Sequence, residues 1–426
     1  MNKLIIKNNS NLYQLFSYVL SIVSVFQVAK ATVLERNNYE FIDINPWSFT
    51  ELLINYEGGF VRRGFLGSIA IFFYETLNIN PKFFFTIVYS FLYIFLILIF
   101  VYLINSLKKE NFYLSILLII SPATLLFVIF DYQALFRKEI FFILIIFIHS
   151  IIAHQVFEKK LSFKSYLNFN LFLILPTLFF NILIHEFQFF LLIFHYLINL
   201  SVLKFFKKKD IFFKYSYLFL TVVFILTITS GNENTVETIE SSLETLVPNI
   251  KNDYGPTNML DGNLNLLVGS FLKMIISSSF SEFFQVFLML LFSVLLFLFV
   301  FNKILELRKL NLDYFNSSNC FLFLYIFLIL IIFIFLTFDY GRLFHILTMH
   351  TVAFYLILPF KTFRFNHKSF SKKFTTNLVL IFYFLFFSMP HAHVLMGKGS
   401  MYLDNGNGIL NYIIQNFDPF IQRILL

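Results

Sequence analysis

The run FFFTIVYSFLYIFLILIFVYLI, residues 83–104, carries no charged side chain over 22 positions. A helix of that length rises about 33 Å, enough to cross a hydrocarbon core of about 30 Å with every backbone hydrogen bond satisfied internally. Ten further apolar runs repeat the pattern, at roughly 12–29, 112–130, 140–157, 167–184, 187–203, 215–229, 283–301, 320–338, 343–360 and 376–394. The chain therefore reads as all-α: an integral membrane protein of about eleven transmembrane helices, forming a single polytopic domain over residues 1–426. Ala29-Lys30-Ala31 has a small-x-small look of signal cleavage, but the run before it is long for a signal peptide, so it is read as an uncleaved first span.

Composition agrees with that reading. Of 426 residues 58% are hydrophobic, 21% aromatic and only 13% charged, against about 25% charged in an ordinary soluble domain. A lone cysteine, Cys320, excludes an internal disulfide and any multi-cysteine metal site. The net charge of +8 does not point to nucleic acid, because the lysines fall in short loops between apolar runs, where membrane topology explains them. The chain also lacks both a Gly-x-x-x-x-Gly-Lys-Ser/Thr stretch and a Rossmann glycine pattern, so an activated donor would have to be delivered within the membrane.

Charge fixes the orientation. With the N-terminus in the cytoplasm, 20 basic and 5 acidic residues lie on the cytoplasmic side and 12 basic and 19 acidic on the other, as the preference for positive charge inside requires. The external side then receives the loops 31–82, 131–139 and 231–263, together with His185-Glu186, Asp339-Tyr340-Gly341-Arg342 and the C-terminal tail. Within the first loop, Gly64–Ile79 is apolar on most sides but too short to span, and reads as a helix lying at the interface. In the acidic loop, Glu233, Glu237, Glu240 and Glu244 recur at helical spacing beside a stripe of Val236, Ile239, Leu243 and Leu246, which predicts an amphipathic helix roofing a cavity. Its carboxylates read mainly as a solvated face, and Pro248, Gly255, Pro256 and Gly262 beyond it suit a mobile lid. Loops 31–82 and 231–263 together form the expected site face.

The richest polar stretch is NYEGGFVRRGFLG, Asn55 to Gly67. Three glycines around Arg62 and Arg63 allow close backbone approach, and the two guanidinium forks match phosphate or carboxylate oxygens. The alternative is a juxtamembrane turn anchored to lipid headgroups. Glu57 and Asp43 are the carboxylates suited to act as a base toward an acceptor hydroxyl, although Asp43-Ile-Asn-Pro followed by Trp47 also reads as an interfacial turn.

Further substrate-binding candidates follow along the external side. Asp131, Arg137 and Lys138 lie in DYQALFRKE, 131–139, where an outward-facing basic pair runs against the topological trend and suits an anionic lipid-linked substrate. An ion pair of Arg137 with Asp131 or Glu139 is the plainer reading. His185 and Glu186 stand between two spans with almost no loop, a costly place for ionisable groups unless they face a polar cavity. Asp339 and Arg342 share one face at a span start, one turn before His345. His391 and His393 read as interfacial residues, and His149 and His195, inside spans, as packed polar contacts. The metal content is left unknown: His-Glu alone does not define a site, and a divalent cation is the one cofactor worth testing.

The whole pattern resembles the bacterial GT-C membrane glycosyltransferases, which use polyprenyl-phosphate donors on the outer face. Those enzymes share the many spans, the interfacial helix after the first span, here Gly64–Ile79, and an acidic base in the first external loop, here Glu57 or Asp43. External arginines at 62, 63, 137 and 342 in a phenylalanine-rich chain are similar to O-antigen and capsule repeat-unit polymerases. The first loop has no Asp-x-Asp, and no arginine is followed eleven residues later by glycine. The resemblance implies an enzyme of the bacterial inner membrane that transfers or polymerises polyprenyl-linked saccharides for cell-surface glycan, with membrane lipid but not nucleic acid as a partner. A transporter or flippase of a lipid-linked or anionic substrate is the rival reading; such proteins tend to carry ionisable residues near the bilayer midplane and internal repeats.

Overall fold

The computed structural model describes Val19 and residues 46–106, 136–209, 211–244, 246, 260 and 340–356; these are mainly helical, with no strand among them. The expected spans 12–29, 112–130, 283–301, 320–338 and 376–394 lie outside the described residues, apart from Val19 in the first. So do the glycine- and proline-rich stretch after Pro248 and the C-terminal tail.

The described chain opens with α1 (Pro46–Leu53) and α2 (Gly64–Leu77). Pro46 sits at the first helical position, where its missing N–H would be unsatisfied in any case. The sequence suggests a turn around Pro46 and Trp47; the structure instead starts a helix there. α2 ends at Asn78, which takes a left-handed conformation and returns its N–H to the Phe73 carbonyl. Gly67 is the hinge of this pair: a Cβ there would lie 2.0 Å from the Ile54 carbonyl oxygen, so only glycine lets the end of α1 rest on the backbone of α2.

Five longer helices follow: α3 (Pro81–Ser106), α4 (Glu139–Phe157), α5 (Phe163–Ile184), α6 (Gln188–Phe206) and α7 (Ile211–Ile228). All five are long and apolar enough to cross a membrane. Their positions match the apolar runs at 83–104, 140–157, 167–184, 187–203 and 215–229. α8 (Glu233–Leu243) and α9 (Tyr340–Leu356) complete the set. The helix in the acidic loop forms as its spacing predicts, with Asn232 capping it by accepting the Thr235 N–H at 2.9 Å.

α4 is the central element. Of its most apolar stretch 72% is buried, against 22% for α7, and it packs on α3, α5, α6 and α9. Phenylalanine supplies much of that contact, for example Phe100 on Phe147 edge to face at 5.3 Å. α5 is not uniform, because a π-helical turn spans Asn170–Ile174 immediately before Pro176. Proline has no N–H to return to the carbonyl four residues back and its ring crowds that carbonyl, and the wider turn absorbs the mismatch.

The described loops sort onto two ends of the bundle. Lys159, Lys160, Lys207, Lys208 and Lys209 lie in the connections at one end. α1, α2, the starts of α4 and α6, the end of α5 and α8 meet at the other.

Candidate functional site: a buried ion cluster

At that second end, Glu51 on α1 is 4% exposed and sits among four cationic or ionisable side chains. Arg63 Nη1 donates to its Oε1 at 3.0 Å, and Arg137 Nη1 approaches Oε2 at 3.4 Å. Lys138 Nζ donates to the Glu51 backbone carbonyl at 3.0 Å and stands 3.8 Å from Oε1. His185 Nε2 is also 3.8 Å from Oε1. Burial alone would raise the pKa of Glu51, but Lys138, Arg63, His185 and Arg137 outweigh it and hold the carboxyl well below the usual carboxylate range. It is an ionised counter-charge in this arrangement.

Arg63 links Glu51 to a second acid. Its Nε donates to both oxygens of Glu186, at 3.1 and 3.0 Å, and its Nη2 also donates to Oε1. This forked geometry uses the planarity that lysine lacks. Glu186 too, despite burial, is held well below its ordinary range, by Arg63 first and then by His185 and Arg62. Arg63 adopts φ 67°, in the left-handed region, at the N-cap of α2. A side chain there costs about 1 kcal/mol or more over the right-handed form, and the two carboxylates offset that cost.

Local sequence explains how three chain segments reach one point. Gly59, at φ 104°, turns the loop after α1 back on itself and returns Arg63 toward Glu51. α4 begins at Glu139, so Arg137 and Lys138 stand at its entry, 5% and 2% exposed. His185 and Glu186 fill the tight connection between α5 and α6. The Phe187 N–H donates to His185 Nδ1 at 3.1 Å, which fixes the tautomer with hydrogen on Nε2. The imidazole therefore presents an N–H to Glu51. Burial, with the positive charge of Arg63, pushes its pKa down to about 4, so it is neutral near pH 7. Burial likewise pulls Lys138 down to about 8, with Glu51 resisting.

Within the buried cluster Arg63, Arg137 and Lys138, with Arg62 half-buried beside them, stand among Glu51, Glu139 and Glu186, while Glu57 and the glutamates of α8 lie at the same end nearer the surface. α8 covers it: Asn55 Nδ2 donates to Ser242 Oγ at 3.0 Å, and Gly58 lies so close to Thr235 that a Cβ would be 2.6 Å from its carbonyl oxygen. Val236, Ile239 and Leu243 face inward while Glu237 and Glu244 face out. The roof and its solvated acidic face match the reading of the sequence.

Of the residues singled out in sequence, Arg63, Arg137, Lys138, His185 and Glu186 come together, and Arg62 is half-buried beside them. Glu57 is exposed at the turn of the loop, its N–H held by Asn55 Oδ1 at 2.9 Å. Asp43, Asp131 and Asp339 lie outside the described residues, and Arg342 is described only as backbone in the first turn of α9. Arg137 finds an acid in Glu51, 86 residues away. Sequence reading missed Glu51 itself, the hub of the cluster. Its signal was a single carboxylate in the otherwise uncharged octapeptide PWSFTELL.

Among the described residues no three His, Cys, Asp or Glu side chains gather as metal ligands; Glu51 and Glu186 both serve Arg63. Comparison with protein-family models, with curated proteins and with solved structures finds no match to this chain.

Proposed function

We propose that this chain is an enzyme of the bacterial inner membrane, oriented with its N-terminus in the cytoplasm and its C-terminus outside, that transfers or polymerises polyprenyl-linked saccharides on the external face. The observation that carries the reading is the cluster of Arg63, Arg137 and Lys138, with Arg62 at its edge, at one end of a bundle of apolar helices. Cations concentrated there suit the phosphate or diphosphate of a lipid-linked donor that arrives from within the bilayer. In the resting state the carboxylates hold them in place. An arriving phosphate competes with Glu186, more exposed than Glu51 at 16% against 5% of the side chain, for the fork of Arg63. Glu57 or Asp43 then takes the proton of the acceptor hydroxyl, and Asp131, Asp339 and Arg342 border the same face in this reading. A divalent cation is not required by it.

A second reading, a transporter or flippase of an anionic or lipid-linked substrate, is favoured by one observation: hydrogen-bonded histidines buried well inside the apolar bundle.

Mass spectrometry of polyprenyl-linked saccharides, with the surface-glycan profile, distinguishes these readings in native cells carrying the intact chain, Arg62→Ala or Glu57→Gln. Single repeat units accumulating with short surface glycan indicate polymerisation. A glycan lacking one sugar, with lipid monophosphate donor building up, indicates transfer. Unchanged pools at normal protein level defeat the glycan reading and leave transport.

A further inference from the structure

Away from the ion cluster, five polar side chains form a chain of contacts through the bundle. His195 on α6 and His149 on α4 meet Nδ1 to Nδ1 at 2.9 Å, and His149 Nε2 lies 2.9 Å from the Tyr166 hydroxyl on α5. Tyr166 donates to Asn199 Oδ1 at 2.6 Å, and Asn199 Nδ2 donates to the Tyr217 hydroxyl on α7 at 3.1 Å. His149, Tyr166, His195 and Asn199 are wholly buried.

The order of hydrogens follows from the donors available. Tyr166 has one hydroxyl hydrogen and gives it to Asn199, so it must receive from His149 Nε2–H. His149 Nδ1 is then a lone pair, and His195 Nδ1–H donates to it. This leaves His195 Nε2 as a bare acceptor, buried and with no hydrogen-bond partner among the described residues. His350 on α9 repeats the condition. Its Nδ1 donates to the Ile346 carbonyl at 2.8 Å, and its Nε2 is buried without a hydrogen-bond partner. The His350 ring lies 5.4 Å from that of Phe194, and its charge would act on His195. Two buried acceptors, one on α6 and one on α9, each forgo a hydrogen bond, at about 1–3 kcal/mol apiece.

One added proton changes both. We propose that this network is a proton-binding site in the interior of the bundle, with His149 as the residue that carries the charge. The proton enters at His195 Nε2. The hydrogen on His195 Nδ1 passes to His149 Nδ1, so His195 ends neutral with hydrogen on Nε2, and His149 becomes an imidazolium. Both N–H groups of His149 then have acceptors, His195 Nδ1 and the Tyr166 oxygen, which is the condition for burying a charge at tolerable cost. The new His195 Nε2–H takes the bare Nε2 of His350 as its acceptor, which ties α6 to α9. Atoms and charge balance: one proton is taken up, one positive charge is gained, and no bond other than N–H is made or broken.

The titratable groups that act on His195 are His149 from α4 and His350 from α9; Tyr166 from α5 lies beyond His149, Tyr217 from α7 beyond Asn199 with Tyr196 acting on it, and His345 acts on His350. Among the described residues no carboxylate acts on His195. The proposal is independent of the glycan reading and would stand under the transport reading as well.

The test is 15N NMR of the histidine-labelled full chain in lipid nanodiscs across an acid titration, with circular dichroism at each pH to confirm the fold. The expected result is a common step shared by the rings of His149, His195 and His350. Tyr166→Phe and His350→Leu, each removing an acceptor of the protonated state, should move that step down by about one pH unit, a tenfold loss of proton affinity. His195→Asn should abolish it. Should His195→Asn fail to assemble, the other two variants decide. Separate midpoints for the three rings, unmoved midpoints in Tyr166→Phe and His350→Leu, or rings that stay neutral until the chain unfolds would each overturn the proposal.

Discussion

The ion cluster around Glu51 and the neutral chain through His149 bury polar groups by opposite means. At the loop end, ionised side chains are taken out of water and stabilised by opposite charge, with Glu51 serving Arg63, Arg137 and Lys138 and Glu186 serving Arg63. Deeper in the bundle, uncharged groups suffice, each donor matched to an acceptor on a neighbouring helix. The difference teaches where each device is affordable. Formal charge sits where α1, α2 and two inter-helix connections can bring three segments of chain around it, whereas between α4 and α6 neutral groups are joined by hydrogen bonds across helices at pH 7.

The comparison is sharpest when one partner is removed from each. Glu51→Ala leaves Arg63, Arg137 and Lys138 without their common acid, and should lower stability by about 3–5 kcal/mol, read as a fall in unfolding temperature in detergent. Glu51→Gln, which keeps the shape without the charge, should lie between that variant and the parent; if it is as stable as the parent, charge is not what holds the cluster.

Next in size is a pH effect confined to the cluster. The pKa of His185 falls from 6.5 unfolded to about 4 in the folded chain. Between those values the unfolded state binds more protons, so stability falls as pH drops through that window, by up to about 1.4 kcal/mol per pH unit. His185→Gln should flatten this part of the pH–stability curve. Tyr166→Phe, the smallest of the three, breaks the neutral chain and should cost about 1–2 kcal/mol at pH 7. A loss as large as that of Glu51→Ala would erase the distinction between the two regions.

Much of the fold was legible from the chain. The five described spans coincide with uncharged runs because length and composition alone decide whether a helix can sit in hydrocarbon. The roof helix was equally plain, since its period of acids and apolar residues is a property of one segment. Five of the site residues were found because arginine, lysine, histidine and glutamate are conspicuous beside such runs. Glu51 was not, for a physical reason: its role is set by partners 12, 86 and 87 residues away, and nothing in PWSFTELL reports them. The same holds for His149 and His195. Sequence places each inside a span as a packed polar contact, but not that the two contact one another across 46 residues.

The separation of those partners has a consequence in time. Glu51 and Arg63 are 12 residues apart and leave the ribosome almost together, whereas Arg137 follows Glu51 by 86 residues and Glu186 follows Arg63 by 123. At about 5–20 residues per second of synthesis, those delays are roughly 4–17 s and 6–25 s. During that interval the nascent chain would have to keep a carboxylate and a guanidinium beside the bilayer with neither of their later partners yet made. The short loop through Gly59 allows the two to neutralise one another from the start, and the remaining helices then arrive at a pair already formed.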